Sequence, residues 1–535
     1  MKKKIGRIQH NKNKLGLIAL FYLLSYFFKR STLKYNRQHK YRIRKNYKTQ
    51  EYWLQILYFV INQMQANIFH RLLTFMMPIS LGIIVWFLSP PAGVSLQAWH
   101  LLAIFLGMIV AFVIQPIPQG AVAIVALVVT VLTGTLTIEE GLSGFSNTTS
   151  WLTVSSFVIA TAVIKTGLAA RIAYTFMRML GKNTLFLGYG LVATDFVLSP
   201  AMPSGNARAA GVIFPLVKSL ASAYGSESYD GTEGRIGSYL MTIGYQATQI
   251  STAMFLTAMV ANPLMAQLAQ EVGVNIDWGT WALAAIVPGI LSLIAMPLII
   301  YYFYPPEIKL TPEAPQLAKQ ELKAMGKVKF KEWLMIATIL LLLFLWCFGK
   351  QLGEISSATT ALLGVALLLL MGVLNWNDVI EDSKTWNILI WFSTLLMMAS
   401  FLDSLGFIPW LSEELGSMVN NLSWQWAFLF LGVSYFYANY FFASKAARAG
   451  AMYPAFLGVA VSVGTPPMYA ALSLAFLVNL SGCLSHYATA EAPIYYGAGY
   501  IDAGIWCKLG IVLSLAYLFI WLVIGGFWWQ LLGLI

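Results

Sequence analysis

Two short stretches, Pro203-Ser204-Gly205-Asn206-Ala207-Arg208-Ala209 and Ala443-Ser444-Lys445-Ala446-Ala447-Arg448-Ala449, each interrupt an apolar run, one in either half of the chain. The apolar pieces flanking each are too short to count as two ordinary membrane spans. Each motif is followed by a long apolar segment that carries its own polar break. In the first half this is Ser251 to Thr257 with Asn262-Pro263, and in the second it is Ser485 to Thr489 with Glu491 and Pro493. Polar and ionisable residues at membrane depth are costly and mark a site by default. Interrupted segments at corresponding positions of two halves point to a secondary transporter that binds its substrate at the repeat interface.

Composition excludes a soluble domain. The 535 residues are 58% hydrophobic and 10% charged, with a mean hydropathy of +0.69. A bilayer needs runs of about 20 apolar residues, and this chain has many. The net charge of +12 is no nucleic-acid signal, because 15 of the 34 Lys and Arg lie in residues 1–50, which hold no acid. That tail, 1–70, reads as a basic extension held at the anionic cytoplasmic leaflet. Cys347, Cys483 and Cys507 show neither CxxC spacing nor a secreted framework, so no disulfide or metal role is expected. The five histidines form no HExxH or His/Cys cluster and there is no G-x-S-x-G elbow, so nothing reads as an enzyme.

Spans are expected near 72–88, 98–114, 121–136 and 151–167, then an amphipathic piece with Arg171, Arg178 and Lys182. Residues 184–222 follow as a hairpin, because Pro200 and Pro203 cannot continue one helix. Spans near 237–270 and 279–303 complete a first repeat, 71–304. The lysine-rich stretch 305–331 is expected as a cytoplasmic loop between repeats. The second repeat, 332–535, follows the same plan: spans near 333–349, 356–374 and 386–403, an amphipathic piece at Trp410–Met418, a hairpin over 424–463, and spans near 467–497 and 504–531. An odd number of spans per half inverts the second copy. The expectation is an all-α polytopic membrane protein of about eleven spans with two opposed re-entrant hairpins, their tips near the midplane and the N-terminus cytoplasmic. Irregular backbone at that depth must line protein or a wet cavity.

At these residues the sequence resembles the divalent anion:sodium symporter family. Within it, the similarity is to the bacterial citrate/succinate and tartrate/succinate exchangers and the plastid 2-oxoglutarate/malate translocators. The resemblance runs from about Leu72 to the end. It is carried by Gly144-Phe-Ser-Asn-Thr-Thr-Ser-Trp151, Ser199 to Arg208, Ser251 to Thr257 with Asn262-Pro263, Tyr440 to Ser444 and Gly482 to Thr489. It implies an inverted-repeat, elevator-type carrier of di- or tricarboxylates, dimeric, in a bacterial plasma membrane, whose hairpin tips hold carboxylate and sodium through Ser-Asn-Thr motifs. Here the tips read Ser204-Gly205-Asn206 and Ser444-Lys445-Ala446, so the family's sodium ligands do not carry over to Gly205, Lys445 or Ala446. If sodium binds, its place is near Ser204, Asn206 and Ser251; no other cofactor is expected.

Ser204, Asn206, Ser444 and Thr489 are the leading candidates for contacts to a small organic dianion, with Thr257 and Asn262 as further ones. Asp195 mirrors Arg208 about the first tip, so the two are expected to pair as a structural ion pair. No acid stands opposite Arg448 in the second hairpin. Lys445 and Arg448 are therefore expected as substrate-binding cations that take over the charge balance sodium provides elsewhere, with Glu491 the one acid placed to pair with either. Channel, proton-pump and inorganic-ion permease readings rest on Asp195 and Glu491 alone as embedded carboxylates.

Overall fold

The computed structural model describes residues 74–417, 423–442, 444–487 and 489–535. The basic tail, residue 443 of the second motif and residue 418 of the second amphipathic piece lie outside the described residues. The described part is helical throughout, apart from one isolated bridge between Asn183 and Leu310.

Seven helices among the described residues are long and apolar enough to cross a membrane: Leu96–Ile114, Thr148–Thr166, Thr184–Ala201, Trp278–Phe303, Phe330–Gly353, Ser383–Ser404 and Ala503–Leu531. Shorter apolar helices occupy Thr74–Phe87, Gln119–Leu132 and Ser357–Leu370. The spans expected near 121–136 and 356–374 are thus only 14 residues long as helices. At 1.5 Å per residue, each reaches roughly 20 Å and falls short of a hydrocarbon core by itself.

The order of elements repeats between the halves. Thr148–Thr166, the amphipathic Leu168–Leu180 and a hairpin of Thr184–Leu198 and Gly205–Ala223 correspond to Ser383–Ser404, Phe407–Ser417 and a hairpin of Trp424–Tyr437 and Lys445–Ser462. Both hairpins turn through a single 3-10 turn, Ser199–Ala201 and Ala438–Phe441, and restart on a serine. Ser204 accepts a hydrogen bond from Ala207 N at 3.1 Å and Ser444 from Ala447 N at 3.3 Å. Each hydroxyl satisfies one of the free N–H groups that a new helix start exposes. The segments after the hairpins are broken as well. Gly237–Met254 passes through a 3-10 turn at Leu256–Ala258 before Ala261–Glu271, and Pro467–Leu480 through Ser481–Cys483 before Ala492–Gly497.

The inter-repeat stretch is not a loop. It folds as the helix Ala314–Met325, which packs on Leu168–Leu180. Ala314, the first residue of that helix, and Ala318, one turn on, are both fully buried. Its apolar i, i+4 positions override the lysine content by which the sequence reads as loop. Arg171 clamps the far end, donating to Glu332 and, at 3.0 Å, to Gly326 O.

Candidate functional site

The first tip is built around a buried ion pair. Arg208 Nε donates to Asp195 Oδ1 at 3.1 Å, and neither side chain is exposed. The same guanidinium donates to Met202 O, in the turn, and to Ala258 O at 3.1 Å, in the break of the following helix. Ser251 donates its hydroxyl to the other oxygen of Asp195. Asp195 and Arg208 thereby staple the hairpin to the broken helix. A buried pair is held by the extra hydrogen bonds its members make, and here they engage both Asp195 oxygens and the Nε and one terminal nitrogen of Arg208.

The second tip uses different chemistry at equivalent places. Arg448 is fully buried and donates to Asn439 Oδ1 at 3.0 Å and to Leu477 O at 3.4 Å. Its guanidinium lies over the ring of Tyr435, 5.2 Å from the centroid. Asn439 passes the connection on, donating to Ser481 O at 2.9 Å in the break of the next helix. No carboxylate lies within 4 Å of Arg448 among the described residues.

Of the two cations of this hairpin, it is Lys445 that meets Glu491, the one acid placed to pair with either. Its ammonium stands 3.9 Å from Glu491 Oε1, both side chains being about 95% buried. Gln249 Nε2 donates to the same carboxylate oxygen at 3.2 Å. This cluster is where the halves meet. A Cβ placed on Gly205, at the first tip, would lie 3.6 Å from Glu491 Oε1, and one placed on Gly482 would lie 2.2 Å from Gln249 Oε1 and 3.0 Å from Lys445 Cε. A side chain at Gly482 would have to displace the Gln249 amide, because the close approach of Gln249 and Lys445 fills the space a Cβ needs. The carboxylate oxygen pairs with the second hairpin and lies beside the tip of the first.

The remaining candidates divide. Asn206 is exposed, and Ser204 and Ser444 are half-buried at the tips. Thr489 accepts from Ala492 N at 3.2 Å and lies 3.3 Å from the Tyr245 hydroxyl, one shell away from the cluster. Thr257 and Asn262 are occupied elsewhere. Thr257 donates to Pro200 O at 2.7 Å and accepts from Trp278 Nε1 at 3.1 Å. Asn262 donates to Thr252 O and Phe255 O at 2.7 and 2.9 Å, tying off carbonyls the break leaves free, and accepts from Asn479 Nδ2 at 2.9 Å. Both act as fasteners of the broken helix. His486 stacks on Tyr496 with centroids 4.2 Å apart.

Sequence reasoning missed Gln249, Gly482, Tyr435 and Asn439. A signal for Gln249 was available: Gly237–Met254 carries Gln246, Gln249 and a run of Ser, Thr and Tyr, yet all 18 of its residues are buried. A helix polar on every face and wholly enclosed has to face polar partners.

The model of the sodium:sulfate symporter transmembrane region matches residues 69–535. YflS of Bacillus subtilis (strain 168), a proposed malate transporter, is 50% identical over 87% of this chain and 97% of its own. The chloroplast dicarboxylate transporter 1 of Spinacia oleracea is 48% identical over 85% of this chain and 80% of its own, and the L-tartrate/succinate antiporter of Shigella sonnei (strain Ss046) is 32% identical over 85% and 97%. Among solved structures, the YdaH transporter of Alcanivorax borkumensis is similar at a TM-score of 0.47 over 73% of this chain and 87% of that one, with 13% identity, too weak a likeness to carry an argument. From the family match over nearly the whole helical part and from relatives this close, the chain is an integral membrane transporter, not an enzyme, and belongs to the sodium:sulfate symporter family, the divalent anion:sodium symporters its motifs resemble.

Proposed function

We propose that this protein exchanges small dicarboxylates, of the malate, succinate and 2-oxoglutarate class, across a bacterial plasma membrane. The relatives named for malate, dicarboxylates and tartrate/succinate support the substrate class. The observation that carries the reading is the convergence of both serine-capped hairpin tips on one buried carboxylate, Glu491, held by Lys445 and Gln249. A place built around a carboxylate of the chain itself has the donors that a substrate carboxylate needs. The repeated order of elements supports two inverted repeats of about eleven spans in all, with opposed hairpins that move together as an elevator, in a dimer as in the wider family.

Exchange follows from charge. Asp195 and Glu491 balance two of the three buried cations Arg208, Lys445 and Arg448, so the empty site holds one excess positive charge. Carrying a basic group through the bilayer costs roughly 2.5 to 3.5 kcal/mol on insertion scales. Such a cost slows return of the empty carrier on the order of a hundredfold. Sodium has little room here, because Ser251 is committed to Asp195 and a fixed ammonium stands at the second tip. The test is uptake of labelled succinate, malate, 2-oxoglutarate and sulfate into proteoliposomes with and without internal dicarboxylate and a sodium gradient. Dicarboxylate uptake that needs internal substrate and ignores sodium is expected. Uptake into empty vesicles only under a sodium gradient would establish symport instead, and uptake of sulfate alone would establish an inorganic-anion carrier.

A further inference from the structure

We propose that Glu491 is a proton site coupled to substrate: it neutralises Lys445 in the empty carrier, and it takes up one proton when a substrate carboxylate replaces it there. The inference rests on the dicarboxylate reading above and adds a second transported species.

The geometry requires a choice between two carboxylates. Lys445 is about 95% buried and its ammonium faces Glu491 Oε1 at 3.9 Å, in reach of Coulomb attraction but too far for a hydrogen bond. A short shift of either partner therefore frees the ammonium without breaking a hydrogen bond to it. The only hydrogen bond to the Glu491 carboxylate among the described residues comes from the neutral amide of Gln249, at 3.2 Å. Once a substrate carboxylate takes Lys445, Glu491 becomes a second buried anion beside the first with no cation of its own. Two carboxylates sharing a buried site cannot both stay ionised.

No other group facing Glu491 among the described residues relieves this. From the first half's broken helix come Gln249 and Tyr245, and the Tyr245 hydroxyl is committed to Gly482 O at 2.6 Å. From its own short helix comes Tyr495, whose hydroxyl donates to Ala209 O at 2.9 Å. The first tip presents Gly205, which has no side chain, and the methyls of Thr248 and Thr252 on the broken helix lie beside that glycine. Arg208 is held by Asp195, and Arg448 by Asn439 and Tyr435. Cys483, next to the glycine beside Lys445, is a buried neutral thiol whose nearest partner is Gly510 O at 3.6 Å.

The charge count reaches the same answer independently. The five embedded charges sum to +1 in the empty site, and a dianion brings the sum to −1. One proton makes the loaded site neutral. The step is a simple proton binding: an O–H bond forms on the Glu491 carboxylate with a proton from water on the open side, Lys445 keeps its own proton, and release of substrate reverses both. Only the substrate-plus-proton form is uncharged, and it is the form suited to cross.

The sign follows. Affinity for the dianion tightens as pH falls, by about tenfold per unit, because one proton binds with the substrate.

The experiment is calorimetric titration of succinate into the purified full-length protein at roughly pH 6.5, 7.0 and 7.5, where an ordinary carboxylic acid is ionised, in buffers of different ionisation heat. The wild type is expected to bind about tenfold tighter per unit of falling pH, with close to one proton taken up per succinate. E491Q, an amide in place of the acid, is expected to bind without proton uptake and with a flat pH profile. K445Q is expected to lose proton uptake as well, although Glu491 is still present, because no ammonium is left for the two carboxylates to contest. Wild-type binding with no proton uptake would overturn the proposal, even if no variant folds, and so would proton uptake retained in E491Q. Failure of succinate, malate and 2-oxoglutarate to bind at any pH would overturn the dicarboxylate reading on which it rests.

Discussion

Arg448 lies over the ring of Tyr435, its guanidinium carbon 5.2 Å from the centroid, at the very places where the other hairpin sets Arg208 against Asp195. Each arginine stands four residues after its tip serine and each partner nine before. One hairpin closes with an ion pair, the other with a cation held on an aromatic face. The tips are thus alike in backbone and unlike in charge, and the excess cation of the site belongs to the second.

Removing either member of the first pair leaves a buried charge alone. Asp195→Ala and Arg208→Ala are each expected to cost about 3 to 5 kcal/mol. The double variant is expected to cost clearly less than their sum. Equilibrium unfolding in detergent measures this, and additive losses would disprove the pairing.

At the second hairpin the ring, rather than the hydroxyl, carries the interaction. The Tyr435 hydroxyl is buried with no hydrogen-bond partner among the described residues. Tyr435→Phe is therefore expected to be neutral or mildly stabilising. Tyr435→Ala loses both packing, about 3 to 5 kcal/mol, and a desolvated cation–π contact of roughly 2 kcal/mol. Equal losses from the two substitutions would place the energy in the hydroxyl instead.

Gly482→Ala would set a methyl 2.2 Å from Gln249 Oε1, and Gly211→Ala would meet nothing within 4 Å. The first is expected to push Gln249 off Glu491 and lower exchange at least tenfold in protein that still folds, whereas the second transports as wild type. Flux assays in proteoliposomes, with yield and melting temperature as controls, distinguish the two. Unaltered flux in Gly482→Ala would show that Gln249 is not needed at the site.

Ser204 and Asn206 separate stability from binding. Ser204→Ala loses a helix cap and is expected to cost about 1 kcal/mol. Asn206 is exposed, so Asn206→Ala is expected to stay within about 0.5 kcal/mol of wild type in stability. Its effect belongs in KM, and an unchanged KM for succinate would remove Asn206 from the site.

Much of this was legible in the residues. Pro200 and Pro203 announce the break before Ser204, and Asn262-Pro263 sits just past the break at Phe255, because proline and capping side chains act over a few neighbours. The stretch 305–331 was misread because its lysines describe the solvent face of Ala314–Met325 while Ala314 and Ala318 on the other face are buried against a helix distant in sequence. Lys445 was the harder case. Glu491 is legible as the one acid available to the second hairpin, but it comes from a different element, and no local pattern says whether Lys445 or Arg448 takes it. Thr257 and Asn262 are legible as polar residues at the break, but the sequence does not reveal that Pro200 O and Asn479 meet their polar atoms.

The helix Gly237–Met254 has no lipid-facing side, and its Ser238, Tyr245 and Gln249 bond to Tyr500 O, Gly482 O and Glu491, all in the second half. On leaving the ribosome it is long enough to span yet too polar to rest in hydrocarbon by itself, and the groups that satisfy it are synthesised more than two hundred residues later. Biogenesis therefore has a waiting step: this segment stays sheltered by the insertion machinery or by its own hairpin until the C-terminal half arrives. A chain cut short before Gly482 lacks the partners that let its centre stay in the membrane.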